Sequence, residues 1–242
     1  MPTRREGDRL VPEAEPAELG RRIGENEEIF ILRGAYTAGQ MLALRGMLMD
    51  WASANDVWPE GVSASVPGIS YHRIDDGTVP TSMPHIFHQW GLDDLPSLPD
   101  ELGSLMRSMG DELLILQNEI AGTSFKPRSG EFRFKALQHP RGGGHLVSHV
   151  HPYEPAKVAI FLNASEPGTD YASGGAHFQT KADGRIDTFD DFRIGDLLAW
   201  RYDLVHGVTP VDPEREVDWG ADDGFWLMAL EWTEAHPLSS AK

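Results

Sequence analysis

Between residues 131 and 233 the chain divides into eight short segments rich in apolar and aromatic residues, separated by Gly, Pro, Asp and Asn. They cover 131–138 (EFRFKALQ), 144–150, 157–163 (KVAIFLN), 174–180, 185–189, 195–202, 206–211 and 224–233 (GFWLMALEWT). Eight short strands at near-regular spacing predict a β-sandwich or a β-barrel. Such a sheet needs cover on its outer face, and the first half of the chain carries helical patterns that can supply it.

Residues 1–20 are charged and proline-containing and predict a flexible acidic arm. Residues 28–33 (EIFILR) form an apolar run ended by Gly34 and predict a first strand. Thr37 and Gln40 have the spacing of a capping box. Met41, Leu44, Leu48 and Trp51 then recur at helical intervals, so a helix is expected from Thr37 to about Asn55. A second helix is expected over 99–120, with Leu102, Leu105, Met106, Met109, Leu113, Leu116 and Ile120 along one face and Pro99 in its first turn. Between the helices, 57–100 lacks periodicity but holds Tyr71, His72, His85, His88 and Trp90, and reads as a functional covering loop or as ordinary surface with a few short strands. With 242 residues, no repeats and no evident linker, the expectation is one domain over 1–242: the arm, an N-terminal strand, helices and cover over 21–125, and a barrel core over 126–236.

Composition narrows the chemistry. The chain has no cysteine, which removes disulfides, iron–sulfur clusters, thiolate zinc sites, blue copper and a thiol nucleophile. A metal would therefore rest on His, Asp or Glu. The net charge of −17 argues against a nucleic-acid partner, which would need a basic face. The start lacks the apolar stretch of a secretory signal, and no segment approaches the length of a membrane span. A cytoplasmic location and a small-molecule substrate are the expectations; the sequence says nothing about oligomeric state.

The stretch GGGHLVSHVHP places His149 and His151 two residues apart at a strand end. Residues i and i+2 of a strand face the same way, so both imidazoles can meet one ion. His206, 57 residues beyond His149 in GDLLAWRYDLVHGVTPV, is the candidate third ligand. Three imidazoles suit iron, zinc, copper or nickel and leave coordination positions open.

The order of motifs from Arg133 to Val211 resembles the double-stranded β-helix core of Fe(II)/2-oxoglutarate-dependent oxygenases. A glycine-rich stretch precedes HVH at His149–His151, where the family has H-x-D/E. VAIFLN at Val158–Asn163 follows, then the glycine pair Gly174–Gly175 in SGGAHF. GDLLAW at Gly195–Trp200 leads to HGVTPV at His206–Val211, and the N-terminal IFILRGAYTAGQM is also similar. The resemblance implies an α+β, mainly β fold: a double-stranded β-helix (jelly-roll or cupin-like) barrel with N-terminal helices packed on one face. It implies a mononuclear non-haem Fe(II) dioxygenase, using 2-oxoglutarate and O2 to hydroxylate or desaturate a small organic substrate. His149, His151 and His206 are then the metal-binding and catalytic residues.

Two departures stand out. His151 replaces the family's carboxylate ligand, so three neutral donors leave the metal's +2 charge uncompensated. A dianionic cosubstrate could neutralise it, or Glu154 could swing in. The family also uses a cation about ten residues past the second histidine for the cosubstrate's far carboxylate. Arg215, nine residues past His206, is the first choice, with Arg133 and Arg201 behind it and Lys135 and Arg141 as other nearby cations. The departures keep two alternatives open: a 2-oxoglutarate-independent three-histidine dioxygenase whose substrate chelates iron, and a non-catalytic metal- or ligand-binding barrel. Among the remaining candidates, His145 shares parity with His149 and is expected to face the barrel interior. His85 and His88 read as substrate-facing or satisfied polar residues, and Trp200, Tyr202 and Trp226 as core.

Overall fold

The computed structural model describes residues 1–7, 9–55, 71–75, 85–91 and 100–233. In chain order its elements are β1 (Thr3–Glu6), β2 (Arg9–Pro12), α1 (Pro16–Asn26), β3 (Phe30–Leu32), α2 (Ala38–Asn55), β4 (Tyr71–Asp75), β5 (His85–Gly91) and α3 (Asp100–Ala121). There follow β6 (Phe132–His139), β7 (Gly144–His149), β8 (Val158–Asn163), β9 (Gly175–Thr180), β10 (Gly184–Asp187), β11 (Leu197–Arg201), β12 (Val205–Val211) and β13 (Phe225–Trp232). All eight strands expected after residue 127 are present, within a few residues of their expected ends.

The helices form for the expected reasons. At the start of α2 the Gln40 amide donates to Thr37 Oγ1 at 3.2 Å, and the Thr37 amide donates to Gln40 Oε1 at 2.9 Å. This reciprocal pair satisfies two donors that the first helical turn would otherwise leave open. Helix α3 buries Met106, Met109, Leu113, Leu116 and Ile120 and packs on β8 and β13. A Cβ on Gly20 of α1 would fall 1.9 Å from the Ile120 carbonyl oxygen, so α1 and α3 meet backbone to backbone. No helix among the described residues is long and apolar enough to cross a membrane.

Two expectations change. Residues 1–20 are a hairpin and a helix start instead of a flexible arm. Arg5 forks onto Glu112 at 2.9 and 3.0 Å, and Leu10, Leu19 and Ile23 are buried. These contacts are all long-range, so local composition did not reveal them. In the 57–100 stretch the alternative of short strands holds, as β4 and β5, but β5 is not surface. Strand β5 lies inside the sheet between β7 and β6. The rest of that stretch, on which the cover expectation falls, lies outside the described residues.

The main sheet runs β10-β9-β12-β7-β5-β6-β13-β8-β11-β3, with β4 paired to β5. All its named pairings are antiparallel. It curls into a double-stranded β-helix. One face of the β6–β13–β8 region takes the helices, with Phe132, Phe134 and Leu230 buried there. The other face lines the barrel interior.

Candidate metal centre

The site is set by how β7 and β12 pair. His206 lies opposite His149, and the next partners are Val208 and Leu146. Gly207 on β12 therefore lies opposite both Val147 and Ser148 on β7, which is a β-bulge. The bulge turns both Leu146 and His149 toward the interior although they are three residues apart. It also reverses the parity expected for His145, which does not line the cavity; its Nδ1 lies 2.9 Å from the Gly143 carbonyl oxygen. Gly207 makes the bulge possible. A Cβ there would meet the Leu146 carbonyl oxygen at 2.7 Å and His177 at 2.9 Å.

His149, His151 and His206 come together as the sequence spacing predicts. One ring nitrogen from each lies within 4.8 Å of the others, and ring centroids are 4.9, 4.3 and 5.1 Å apart. His149 Nδ1 lies 3.0 Å from the Val147 carbonyl oxygen, and His206 Nδ1 lies 2.8 Å from that of Leu204. A carbonyl can only accept, so each Nδ1 carries the proton and each Nε2 keeps its lone pair free for a metal. Aromatic neighbours hold the rings in place. Phe178 stacks on His206 at 6.0 Å, Trp200 lies edge-on at 5.6 Å, and Tyr202 lies 4.7 Å from His151. The donor set fits a single borderline metal ion such as Fe(II).

The cavity beside these histidines follows the alternation of the strands. Lys135, Leu137 and His139 come from β6, Ala159 and Phe161 from β8, Trp200 from β11, and Leu227, Ala229 and Glu231 from β13. It leaves about 60 Å³ for the centres of water-sized molecules. Its wall is largely apolar, with two polar features besides the triad. Lys135 Nζ lies 2.7 Å from Glu231 Oε2 and 3.3 Å from Gln89 Oε1. His139 is fully buried. Burial pushes its pKa down to about 3, with a hydrogen bond to the Phe225 backbone acting the other way and His85 and His145 adding to the depression.

The three arginines singled out from sequence are not brought to the cavity. Arg215 is exposed in the loop between β12 and β13. Arg201 binds Asp203 at 2.6 Å and the Gly24 carbonyl at 3.1 Å, over the Tyr153 ring. Arg133 shares a strand face with Lys135 but lies two residues nearer solvent and is exposed. Arg141 pairs with Asp212 and Asp223. Glu154 is exposed, 4.0 Å from Lys157, and is not part of the histidine cluster. Among the described residues, Lys135 is the one cation on the cavity wall. Its signal in the sequence was the period-two run Lys135, Leu137, His139 along one strand.

His85 and His88 lie on β5, three apart and so on opposite faces. His88 Nδ1 lies 3.0 Å from Gln138 Oε1, a satisfied polar contact. His85 stacks on Phe87 at 4.2 Å, and Phe87 meets His139 edge-on at 5.6 Å. Trp226 is core, stacked on Trp90 at 5.2 Å. Trp200 and Tyr202 are buried yet also line the cavity.

No protein-family profile matches the chain, and no curated protein matches it in sequence. Solved structures do match. A prolyl-4-hydroxylase from Pseudomonas putida superposes with a TM-score of 0.57 at 12% identity, covering 90% of this chain and 98% of that one. A prolyl hydroxylase from Trichoplax adhaerens, solved with a peptide of the hypoxia inducible factor oxygen degradation domain, gives 0.56 at 12% identity, covering 93% and 94%. A 2OG-Fe(II) oxygenase-family oxidoreductase from Burkholderia pseudomallei gives 0.50 at 11%, covering 90% of each chain. At these identities the likeness is one of fold: the chain has the double-stranded β-helix found in 2-oxoglutarate/Fe(II) oxygenases.

Proposed function

We propose that the chain is a mononuclear Fe(II) oxygenase that takes 2-oxoglutarate and O2 and oxidises a small organic molecule. The observation that carries this reading is the meeting of His149, His151 and His206 at one end of a largely apolar cavity, inside the fold of such oxygenases. The three histidines hold the metal through Nε2 of His149, Nε2 of His206 and a ring nitrogen of His151. Bound Fe(II), with 2-oxoglutarate and O2, supplies a two-electron oxidation of a C–H bond, and succinate and CO2 leave as by-products.

Charge supports the choice of cosubstrate. Three neutral imidazoles leave the ion's two positive charges unmatched, and Lys135 and Glu231 on the wall cancel each other. A dianionic keto acid completes the balance, whereas a carboxylate ligand at residue 151 would have taken half of it. The remaining residues shape the reaction space. Leu137, Leu146, Ala159, Phe161, Val208 and Leu227 give the substrate an apolar seat and exclude water, and Trp200 and Tyr202 fix the histidine rings.

The test is oxygen uptake by the Fe(II)-loaded protein with 2-oxoglutarate, with succinate measured alongside. Succinate formed in step with O2 consumed supports the reading. Uptake coupled to oxidation of an organic substrate with no 2-oxoglutarate present would assign the protein to the 2-oxoglutarate-independent three-histidine dioxygenases. No uptake with any keto acid would point to a binding barrel.

A further inference from the structure

We infer that His177 is a positioning residue of the metal centre: from the outer face of the sheet, its ring holds the bulge that aims His149. The inference rests on the metal-binding part of the proposed function and is independent of which cosubstrate the metal takes.

His177 lies on β9, next to Phe178. Successive residues of a strand face opposite sides, and these two act on the site from its two sides. Phe178 stacks on the His206 ring from within, at 6.0 Å. His177 turns to the outer face, where its Nε2 lies 2.9 Å from Ser148 Oγ and its Nδ1 lies 3.2 Å from Thr209 Oγ1. Thr209 is itself held, accepting from Arg185 Nη2 at 2.7 Å. Both ring nitrogens are therefore used, one on β12 and one on β7.

The contact with β7 passes over a whole strand. Strand β12 lies between β9 and β7, so the side chains bridge two strand spacings, roughly 9.5 Å. Ordinary cross-strand pairs join direct neighbours. The longer reach is possible because the residue opposite His177 on β12 is Gly207. A Cβ there would come within 2.9 Å of the ring's Cε1, so the imidazole lies against bare backbone of the middle strand. Gly207 thus makes room both for the bulge and for the ring that holds it.

The bulge needs holding because it leaves a residue outside the regular ladder. His149 depends on both bulge residues. It follows Ser148 directly, and its Nδ1 donates to the Val147 carbonyl oxygen at 3.0 Å. Ser148 is exposed and so is little restrained by packing, whereas its partner His177 is buried. The hydrogen bond between them ties the loose part of β7 to a fixed part of β9. Without it, both the direction of the His149 ring and the carbonyl that fixes its tautomer lose a restraint.

The test uses Co(II) as the probe, because the position and intensity of its visible bands follow ligand geometry and need no catalysis. Co(II) is titrated into wild type, Ser148→Ala, His177→Phe, His177→Gln and the double variant of Ser148→Ala with His177→Phe. Circular dichroism and urea midpoints of the metal-free proteins serve as controls. Ser148→Ala removes one exposed hydroxyl and should fold as wild type does. The expected result is that Ser148→Ala and His177→Phe each weaken Co(II) on the order of 10-fold and alter its bands. His177→Gln, whose amide can reach Ser148 from the same place, should restore most of both. The double variant should bind no more weakly than the weaker single one, because both changes break one bond. Wild-type affinity and spectrum in Ser148→Ala overturn the inference, even if His177→Phe lowers the urea midpoint, and so does an additive loss in the double variant. Wild type that binds no Co(II) instead rejects the metal centre itself, and the role of His177 falls with it.

Discussion

The rings of His149 and His206 lie 4.3 Å apart between centroids across the β7–β12 pairing, tilted by 53°, and each turns its Nδ1 to the carbonyl two residues back along the chain. Those two hydrogen bonds fix the tautomer that leaves Nε2 free. His149→Ala and His206→Ala should each abolish binding of the roughly one Fe(II) per chain expected for a three-histidine site. Circular dichroism should remain that of wild type. Iron content measured after desalting checks this, and wild-type content in either variant would reject the ligand assignment.

His151 carries the difference from the usual carboxylate ligand. His151→Asp should still bind Fe(II), and more tightly, because the new ligand is anionic. It should also lower 2-oxoglutarate affinity on the order of 10-fold, because a negative charge now lies close to the chelated dianion. Paired metal and keto-acid titrations check both directions. Tighter 2-oxoglutarate binding in the variant would contradict the charge argument.

Asp212 ties together three segments at the end of β12 away from His206. It accepts hydrogen bonds from the Ala172 amide at 2.9 Å, the Ser173 amide at 2.8 Å and Arg141 Nε at 2.6 Å. Burial acts to raise its pKa, but the Ala172 amide, Arg141 and the Ser173 amide outweigh burial and hold it below its usual 3.8. The unfolded chain therefore binds the proton more readily. The stabilisation is complete above about pH 3.8 and is lost as pH falls through the depressed value. Asp212→Ala should cost about 3 kcal/mol at neutral pH, measured by urea unfolding, with the gap to wild type closing in acid.

Much of this was legible in the sequence. The eight late strands and the triad follow from period-two patterning and turn residues, which are local signals. What was missed is long-range. The β1–β2 hairpin is anchored in part by Arg5 on Glu112, more than a hundred residues away. Strand β5 was hidden in a stretch dense in Pro, Gly and Asp, although His85 and Phe87 share one face of it by strand parity and His88 and Trp90 the other. The bulge at Val147–Ser148 reversed His145, and no sequence rule predicts an extra residue in one strand of a pair. Arg215 had the right distance from His206 along the chain, but the loop carrying it stays at the surface.

His139 adds a pH dependence of its own. Its pKa is lowered to about 3 by burial, with the Phe225 backbone opposing and His85 and His145 adding to the depression. The usual value is 6.5, so between these two values the unfolded chain carries a proton that the folded one does not. Stability should therefore fall as pH drops from about 6.5 towards 3, by about 1.4 kcal/mol per unit from this group. His139→Gln should flatten that slope. Urea midpoints at pH 7, 6, 5 and 4 measure it, and parallel curves for variant and wild type would show that His139 is protonated in both states.

The most direct measurement is an anaerobic titration of the purified protein, first with Fe(II) and then with 2-oxoglutarate, followed by visible absorption. A three-histidine Fe(II) site that chelates the keto acid should give no band with iron alone and a weak charge-transfer band on adding 2-oxoglutarate, saturating at about one equivalent of each per chain. The band should be absent in His206→Ala. Stoichiometric iron binding with no band at saturating 2-oxoglutarate would contradict the proposed chemistry.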